Sequence, residues 1–115
     1  MADHIDWRGQ SGRTYRYWFH SSIVPTSTDL KKVAGNYMYV RQTQTGGWLP
    51  VYIGQADDVS ARLPSHERLA DAKKAGATHL MTHTATGGEQ TRLDEERDLI
   101  QYWNPLLNTQ HRKVS

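Results

Sequence analysis

The sequence predicts a small α+β domain in which helices flank a three-stranded antiparallel sheet. Three observations predict this fold class. Two runs rich in β-forming residues flank a Gly-Gly loop, a third run alternates in hydropathy further along the chain, and a long amphipathic stretch ends at an Asn-Pro dipeptide. The length of 115 residues suits one domain with a modest core.

The N-terminal extension, residues 1–34, is the least regular part of the sequence. Residues 1–13 are polar and contain two glycines, so we expect them to be irregular. Residues 14–20 are rich in aromatic side chains, which fit a pleated surface, so this segment is a candidate for an extra N-terminal strand. The segment that follows contains Pro25 and allows a short helical turn that begins near Asp29.

An antiparallel hairpin is predicted over residues 36–41 and 48–53. Both runs are rich in Tyr, Val and Ile, and Gly46 and Gly47 supply the positive-φ positions that a hairpin loop needs. Gly54 is expected to end the second strand.

Two helical segments are predicted after the hairpin. The first runs from about residue 58 to residue 63, with Asp57 or Asp58 as its N-cap. Pro64 breaks it or starts the second segment, residues 65–75, because proline is well tolerated in the first turn of a helix.

The last two elements are a third strand over residues 78–84 and a helix over residues 89–103. This helix is the strongest in the sequence, and the Asn-Pro dipeptide stops it. We therefore predict one domain over residues 35–108, preceded by the extension and followed by a basic tail, residues 109–115.

Composition restricts the function classes only weakly. The formal charge of +2 and the pI near 9.0 permit a polyanionic partner without requiring one. Cysteine is absent, which excludes disulfides and thiolate metal sites. No run of about 18 apolar residues could cross a membrane, and the first residues lack the features of a signal peptide. We therefore expect a cytoplasmic protein.

The last helix carries a carboxylate inside its own apolar stripe. Four apolar residues recur at a period near 3.6, namely Leu93, Leu99, Ile100 and Trp103. Glu96 lies in the middle of this stripe, where an ionised carboxylate is costly unless it is paired or binds a cation. From the helix alone, three interpretations stay open: Glu96 lies at the edge of the stripe and reaches solvent, it pairs with Arg62 or Arg92, or it binds a metal. The neighbouring charges lie off the stripe and are expected to be solvated: Asp94, Glu95, Arg97 and Asp98.

Arg62 and His66 stand four residues apart. If the helix continues through Pro64, they share one face and lie about 6 Å from each other. Guanidinium pairs bidentately with phosphate, and imidazole titrates near neutrality, so such a pair can hold a scissile phosphate and move a proton. Taken alone, such a pair is more commonly part of an exposed polar face.

Three tyrosines of the hairpin form another candidate group. Tyr37 and Tyr39 point to one side of their strand, and Tyr52 lies on the partner strand. Cross-strand aromatic packing accounts for them. The hydroxyl groups leave a second interpretation open, since a phenol can orient or deprotonate a water molecule.

In their order along the chain, these residues resemble the motifs of the GIY-YIG nuclease superfamily. The segments that carry the resemblance are Gly35-Asn36-Tyr37, Val51-Tyr52-Ile53-Gly54, Asp57 to Leu63, Glu96 to Ile100 and Asn104 to Asn108. As in that family, the arginine stands ten residues after the tyrosine of the second motif, and the histidine follows it by four. Five elements in order at the family's spacing make the resemblance specific.

Two residues depart from the family pattern. Asn36 replaces the usual apolar residue of the first motif, on the strand face opposite Tyr37, and we expect little effect. Gln55 stands where many members carry a lysine or another donor, which would weaken a phosphate contact. Neither departure removes a catalytic residue type.

The resemblance implies a GIY-YIG fold and a metal-dependent endonuclease that hydrolyses phosphodiester bonds in DNA. Glu96 would hold a single divalent cation, Mg²⁺ or Mn²⁺, and Arg62 would share the charge that develops at the phosphate. The residues expected to contact nucleic acid are Gln55, Lys31, Lys32, Arg41, Lys73 and Lys74.

The remaining site residues take their roles from the same resemblance. Tyr37 would orient or deprotonate the attacking water with His66 nearby, and which of the two is the base stays open. Tyr52 would hydrogen-bond the phosphate or a metal-bound water, and Asn108 would brace the site. A catalytically silent nucleic-acid-binding module and a protein-interaction domain are the alternatives, and a protein partner could supply specificity. The oligomeric state stays open.

Overall fold

The structure is a computed structural model of the chain and describes residues 3–20, 22–25, 30–84 and 87–108. Within these residues the chain forms five strands, three α-helices and one 3₁₀ turn. In chain order they are β1 (His4–Arg8), β2 (Thr14–Phe19), β3 (Gly35–Gln42), β4 (Trp48–Ala56), α1 (Val59–Arg62), the 3₁₀ turn (Leu63–Ser65), α2 (Leu69–Lys74), β5 (His79–Thr84) and α3 (Glu89–Trp103). None of the helices in this part of the chain has the length and apolar character that crossing a bilayer requires.

The strands form one antiparallel sheet in the order β1-β2-β5-β3-β4. The three predicted strands and the extra strand at residues 14–19 are confirmed. The prediction that residues 1–13 are irregular is wrong, because β1 pairs with β2 along its whole length. This strand has only five residues, in which His4, Asp6 and Arg8 alternate with Ile5 and the buried Trp7, and the overall polarity of residues 1–13 obscured this alternation.

The predicted hairpin is confirmed, but Gly54 does not end its second strand. β4 continues to Ala56, and Tyr37 lies opposite Gly54 in the ladder. A Cβ atom at position 54 would lie 2.6 Å from the Tyr37 hydroxyl oxygen. The glycine therefore leaves room for the tyrosine ring instead of breaking the strand.

Alternation along β3 divides the core between the two faces of the sheet. One face packs against α3, and its buried residues are Trp7, Tyr17, Met38, Val40, Ile53, Met81, Leu99 and Ile100. The other face packs against α1 and α2, and its buried residues are Leu30, Tyr37, Tyr39, Val51, Val59, Leu63, Ala72, Ala77 and Leu80. Tyr37 therefore lies on one face of the sheet, whereas Glu96 lies on α3, which packs against the other face.

The helical region after the hairpin is more broken than predicted. Asp58 is the N-cap of α1 and accepts a hydrogen bond from the Ser60 N–H at 3.0 Å, as one of the two predicted caps. The helix does not continue through Pro64, because the chain passes into the 3₁₀ turn and His66 is extended at φ −75° and ψ 132°. The second helix then begins only at Leu69.

The last helix, α3, has the predicted bounds. It ends where Asn104 adopts the left-handed conformation at φ 48° and donates its N–H to the Ile100 carbonyl at 2.8 Å. Pro105 follows and cannot continue the helix. The turn predicted near Asp29 and the basic tail, residues 109–115, lie outside the described residues.

Candidate active site

The hydroxyl of Tyr37 lies at an edge of the sheet. β4 is the last strand on this side, and the Tyr37 ring crosses it over Gly54. The side chain is 1% exposed, so the neighbouring groups fix where its oxygen lies. Burial raises the pKa of Tyr37, as does Tyr52, whereas the charge of Arg62 lowers it.

His66 is enclosed by tyrosine rings. Its ring centroid lies 5.3 Å from that of Tyr37, 5.7 Å from that of Tyr39 and 5.4 Å from that of Tyr52, each in an edge-to-face arrangement. The side chain is 5% exposed. Burial, followed by the nearby Arg62 charge, lowers the pKa of His66 to about 4, so the imidazole is neutral at pH 7.

The hydrogen bonds of His66 select one neutral tautomer. The backbone N–H of Arg68 donates to Nδ1 at 3.0 Å, so Nδ1 carries no proton. The proton of a neutral ring is therefore on Nε2, which lies 2.5 Å from the Tyr37 hydroxyl oxygen. His66 donates to Tyr37 and does not accept from it.

Arg62 is brought to this cluster, although not by the helical face that the sequence predicted. Its guanidinium forms a bidentate pair with Glu67, at 2.6 Å from Nη1 and 2.7 Å from Nη2. This hydrogen-bonded pair is the main reason that the pKa of Glu67 is lowered to about 2. The Arg62 side chain is 39% exposed, so a phosphate group can reach it.

Glu96 is buried on α3, as its place in the apolar stripe predicted. It is 6% exposed, and its charge adds to the burial that raises the pKa of Tyr52. The charge of Glu96 therefore acts on Tyr52 of β4 from the side of α3. The two arginines that the sequence offered as its partners form ion pairs elsewhere, Arg62 with Glu67 and Arg92 with Asp57.

The donor set fits a hard divalent cation held by few protein ligands. Within the described residues no group of three or more His, Asp or Glu side chains is arranged to hold a metal ion. One buried carboxylate with water in the remaining positions is a normal environment for Mg²⁺. Glu96 is a buried carboxylate of this kind.

Asn108 holds β4 from behind. Its Oδ1 accepts the Ile53 N–H at 2.8 Å, and its Nδ2 donates to the Ile53 carbonyl at 2.7 Å. Both ends of the amide are occupied by the backbone of one strand residue, and the side chain is fully buried. Asn108 therefore fixes the strand that carries Tyr52 and Gly54.

An open groove of about 410 Å³ runs beside this cluster, between α1 and the start of α3. Its lining residues come from the end of β4, from α1 and from the first turn of α3: Gln55, Ala56, Asp57, Asp58, Ala61, Arg62 and Glu89. Arg62 and Gln55, two of the predicted phosphate contacts, thus face the same groove.

The lysines and arginines predicted to bind nucleic acid fall into two groups. Lys31 and Lys32 precede β3 at the groove end of the sheet. The pKa of Asp58, lowered mainly by its Ser60 hydrogen bond, is lowered further by the Lys32 charge. The other group lies at the opposite end of the sheet, where the Arg41 side chain packs against Gly76. Its members are Arg41, Lys73 and Lys74.

Sequence reasoning missed two buried charges of α3. Glu95 was expected to be solvated, but it is 6% exposed and accepts hydrogen bonds from the Tyr17 hydroxyl at 2.6 Å and from His83 Nδ1 at 2.8 Å. Arg92, considered only as a partner of Glu96, is 5% exposed. The positions that α3 buries are Arg92, Glu95, Glu96, Leu99 and Ile100, which follow an i, i+3, i+4, i+7, i+8 pattern. This spacing was the signal in the sequence that could have identified Arg92 and Glu95 as buried.

Comparison with solved structures finds the N-terminal GIY-YIG endonuclease domain of UvrC from Thermotoga maritima. A point mutant of that domain, bound to its catalytic divalent cation, matches at a TM-score of 0.54 and 24% identity, over 69% of this chain and 86% of that chain. The same domain bound to magnesium matches at 0.53 and 25% identity, over 68% and 85%. No family model and no curated protein matches the sequence. The predicted fold class and the resemblance to this superfamily are confirmed.

Proposed function

We propose that this chain, which has the fold of the GIY-YIG nuclease superfamily, is a metal-dependent endonuclease that hydrolyses phosphodiester bonds in DNA. One observation carries the proposal: the Tyr37 hydroxyl, held by His66 next to Arg62, belongs to a tyrosine cluster that includes Tyr52, and the charge of the buried Glu96 acts on Tyr52. A phenol, a guanidinium and a carboxylate together can position water, bind phosphate and bind a cation. The matched structures of the UvrC domain hold a divalent cation that is described as catalytic.

Glu96 would bind Mg²⁺ or Mn²⁺. When bound, the cation supplies positive charge to the scissile phosphate and to the oxygen that leaves. Burial of the carboxylate supports this role, because an ionised group that is 6% exposed gains more from a neighbouring cation than an exposed one does.

Tyr37 would accept the proton of the attacking water. His66 supports this role as a donor, since its Nε2–H points at the Tyr37 oxygen and stabilises negative charge there. His66 is poorly suited to be the base, because Nε2 already carries a proton and the Arg68 N–H occupies Nδ1. Burial keeps Tyr37 a neutral phenol in the free protein, so it can accept a proton only after its own proton has passed to bulk water as positive charge gathers around the oxygen. The resulting phenolate then takes the proton of the attacking water and becomes the phenol again.

Arg62 would bind the scissile phosphate and share its developing charge. In the free protein its two Nη atoms pair with Glu67, so the substrate must replace that carboxylate. The exchange also matters for Tyr37, since the Arg62 charge lowers the pKa of that phenol. Phosphate binding and activation of the water would therefore be coupled through one guanidinium.

Tyr52 and Asn108 would complete the site. The Tyr52 ring meets His66 edge to face and lies within the field of Glu96, which supports a role for its hydroxyl as a hydrogen-bond partner of the phosphate or of a cation-bound water. Asn108 would act through β4, whose backbone it holds at Ile53. We place the activity in the cytoplasm and expect Lys31 and Lys32 to extend the DNA contact along the groove.

A cleavage panel tests the proposal. End-labelled single-stranded, duplex, flap and junction DNA, and RNA, are incubated with and without Mg²⁺ or Mn²⁺. We expect cleavage of at least one DNA that EDTA abolishes, that Glu96→Ala loses and that Asp94→Ala keeps. Asp94 is the matched control, since it is an exposed carboxylate of the same helix.

Two results would contradict the proposal. Undiminished cleavage by pure Glu96→Ala would remove Glu96 from the mechanism. Salt-sensitive DNA binding without cleavage under any metal condition would favour a catalytically silent module.

A further inference from the structure

We infer that Arg92 is a positioning residue that turns the side-chain amide of Gln55 toward the groove, where the amide nitrogen donates a hydrogen bond to a backbone phosphate of the substrate. The inference rests on the proposed function and adds to the predicted Gln55 contact the residue that orients its amide.

Arg92 holds the floor of the groove to α3. Its Nε donates to Gln55 Oε1 at 3.0 Å, and its Nη2 donates to Asp57 Oδ1 at 2.6 Å. Its backbone carbonyl accepts a hydrogen bond from Asn36 Nδ2 at 2.9 Å. Because Asn36 lies opposite Gln55 in the β3–β4 ladder, Arg92 joins β3, the floor of the groove and α3.

The guanidinium itself is not placed to bind phosphate. The Arg92 side chain is 7% exposed, whereas the Asp57 side chain is 83% exposed. The buried charge is already compensated by a carboxylate and an amide oxygen, as a buried charge must be. Arg92 therefore acts through the residues that it holds.

The orientation of Gln55 follows from the chemistry of its partner. A guanidinium carries only donors, so the amide must present its oxygen to Arg92. The NH₂ end is then turned away from Arg92. Among the described residues, Gln55 Nε2 has no hydrogen-bond partner, and the residue lines the groove with Arg62. A phosphodiester oxygen is a suitable acceptor for this donor.

One helix therefore sets both halves of the proposed site. Arg92 lies four residues before Glu96, so the two side chains stand one turn apart on α3. A change in the position of α3 would move the carboxylate that binds the cation together with the amide that binds the phosphate. Arginine suits this task because its fork reaches Gln55 and Asp57 at the same time.

The decisive variant is Gln55→Glu. A carboxylate at this position still accepts from Arg92 Nε, so the fold is retained, but the outward atom becomes a negatively charged acceptor. The matched control is Gln42→Glu, which makes the same change of charge at an exposed position near the other end of the hairpin. The probes are fluorescein-labelled duplex and flap DNA, with dissociation constants from anisotropy in EDTA and KM and kcat from cleavage in Mg²⁺.

We expect Gln55→Glu to bind DNA about 10-fold or more weakly than Gln42→Glu, since a donor is replaced by a repelling charge. KM should rise more than kcat falls, and the melting temperature should not decrease. Arg92→Lys loses the fork and should raise KM several-fold. The Gln55→Ala, Arg92→Lys double variant should bind no worse than Gln55→Ala, because Arg92 acts through Gln55.

Each outcome decides between this inference and the proposed function. Equal binding by Gln55→Glu and Gln42→Glu, in a protein that cleaves DNA, overturns the inference alone. Full additivity of Gln55→Ala and Arg92→Lys also overturns it, because Arg92 would then act elsewhere. If the wild-type protein neither binds nor cleaves any DNA, the proposed function fails and the inference fails with it. Should Arg92→Lys not fold, the Gln55→Glu comparison still decides whether position 55 donates to phosphate, and failure of that contact overturns the inference.

Discussion

The Nε2 atom of His66 donates a hydrogen bond to the hydroxyl oxygen of Tyr37 across 2.5 Å. The direction of this bond is set by a backbone group, since the Arg68 N–H occupies the other ring nitrogen. A donor at this place stabilises a phenolate and opposes the burial that keeps Tyr37 neutral. In the proposed mechanism the two residues, between which the sequence could not choose a base, therefore have different tasks.

Variants of Tyr37 and His66 should separate these tasks. Tyr37→Phe removes the proton acceptor and should lower kcat about 10²–10⁴-fold. His66→Gln keeps an N–H donor at a similar reach and should retain more activity than His66→Ala. Single-turnover cleavage in Mg²⁺ measures all three. If His66→Gln and His66→Ala lose the same activity, donation from position 66 is not what supports Tyr37.

The lowered pKa of His66 predicts a pH dependence of stability. The unfolded chain protonates this histidine near its ordinary pKa of about 6.5, whereas the folded protein protonates it only near pH 4. Between these values the unfolded state binds more protons, so the free energy of unfolding falls as the pH falls from about 6.5 to 4. The loss amounts to at most about 3 kcal/mol.

Urea denaturation of wild type and His66→Gln between pH 7 and pH 4.5 checks this dependence. The glutamine variant should lose less stability over that range, because its side chain does not titrate. The difference between the two proteins isolates His66 from the other histidines. A difference that does not change with pH would mean that His66 is protonated in the folded protein as readily as in the unfolded one.

Glu67 should compete with the substrate for Arg62. Glu67→Gln weakens the bidentate pair, so we expect the dissociation constant for DNA to fall about 2–5-fold, in keeping with the small contribution of an exposed ion pair. Asp71→Asn is the matched control, since Asp71 is an exposed carboxylate that pairs with Arg68 at 3.1 Å. Anisotropy at two salt concentrations measures both. An equal gain in DNA affinity in the two variants would reflect the change in net charge and not the release of Arg62.

Gly54→Ala should displace Tyr37 from the edge of the sheet. The added Cβ would lie 2.6 Å from both Cζ and Oη of Tyr37, so the ring must move away from His66. We expect a loss of activity about as large as that of Tyr37→Phe, together with lower stability. Gly88→Ala is the control, because a Cβ there meets no atom within 4 Å. Normal activity in Gly54→Ala would show that the position of the Tyr37 ring is not critical.

The parts of the fold and site that the sequence predicted are those that local patterns determine. The hairpin follows from its β-rich runs and glycines, and the buried position of Glu96 follows from the stripe of α3. The break in the helical conformation at His66 reflects tertiary contacts, because three tyrosine rings enclose the imidazole. Local spacing from Arg62 could not show this.

The width of the sheet explains the second group of errors. α3 packs on a five-stranded sheet, so it buries a broader face than its apolar residues mark, and polar side chains fill the rest. β2, which supplies Tyr17 to this face, was only one interpretation of residues 14–20. Without that strand, no partner for Glu95 was apparent from the sequence.

Glu95 should therefore contribute to stability although the sequence placed it in solvent. Glu95→Ala leaves the Tyr17 hydroxyl and His83 without their acceptor and should lower the free energy of unfolding by about 1–3 kcal/mol, whereas the exposed Asp94→Ala should change it by at most about 0.5 kcal/mol. Tyr17→Phe removes only the donor of one bond and should cost less. Because both variants break the same hydrogen bond, their combined loss in urea denaturation should be smaller than the sum of the single losses. Additive losses would mean that Tyr17 and Glu95 stabilise the fold independently, against the 2.6 Å contact between them.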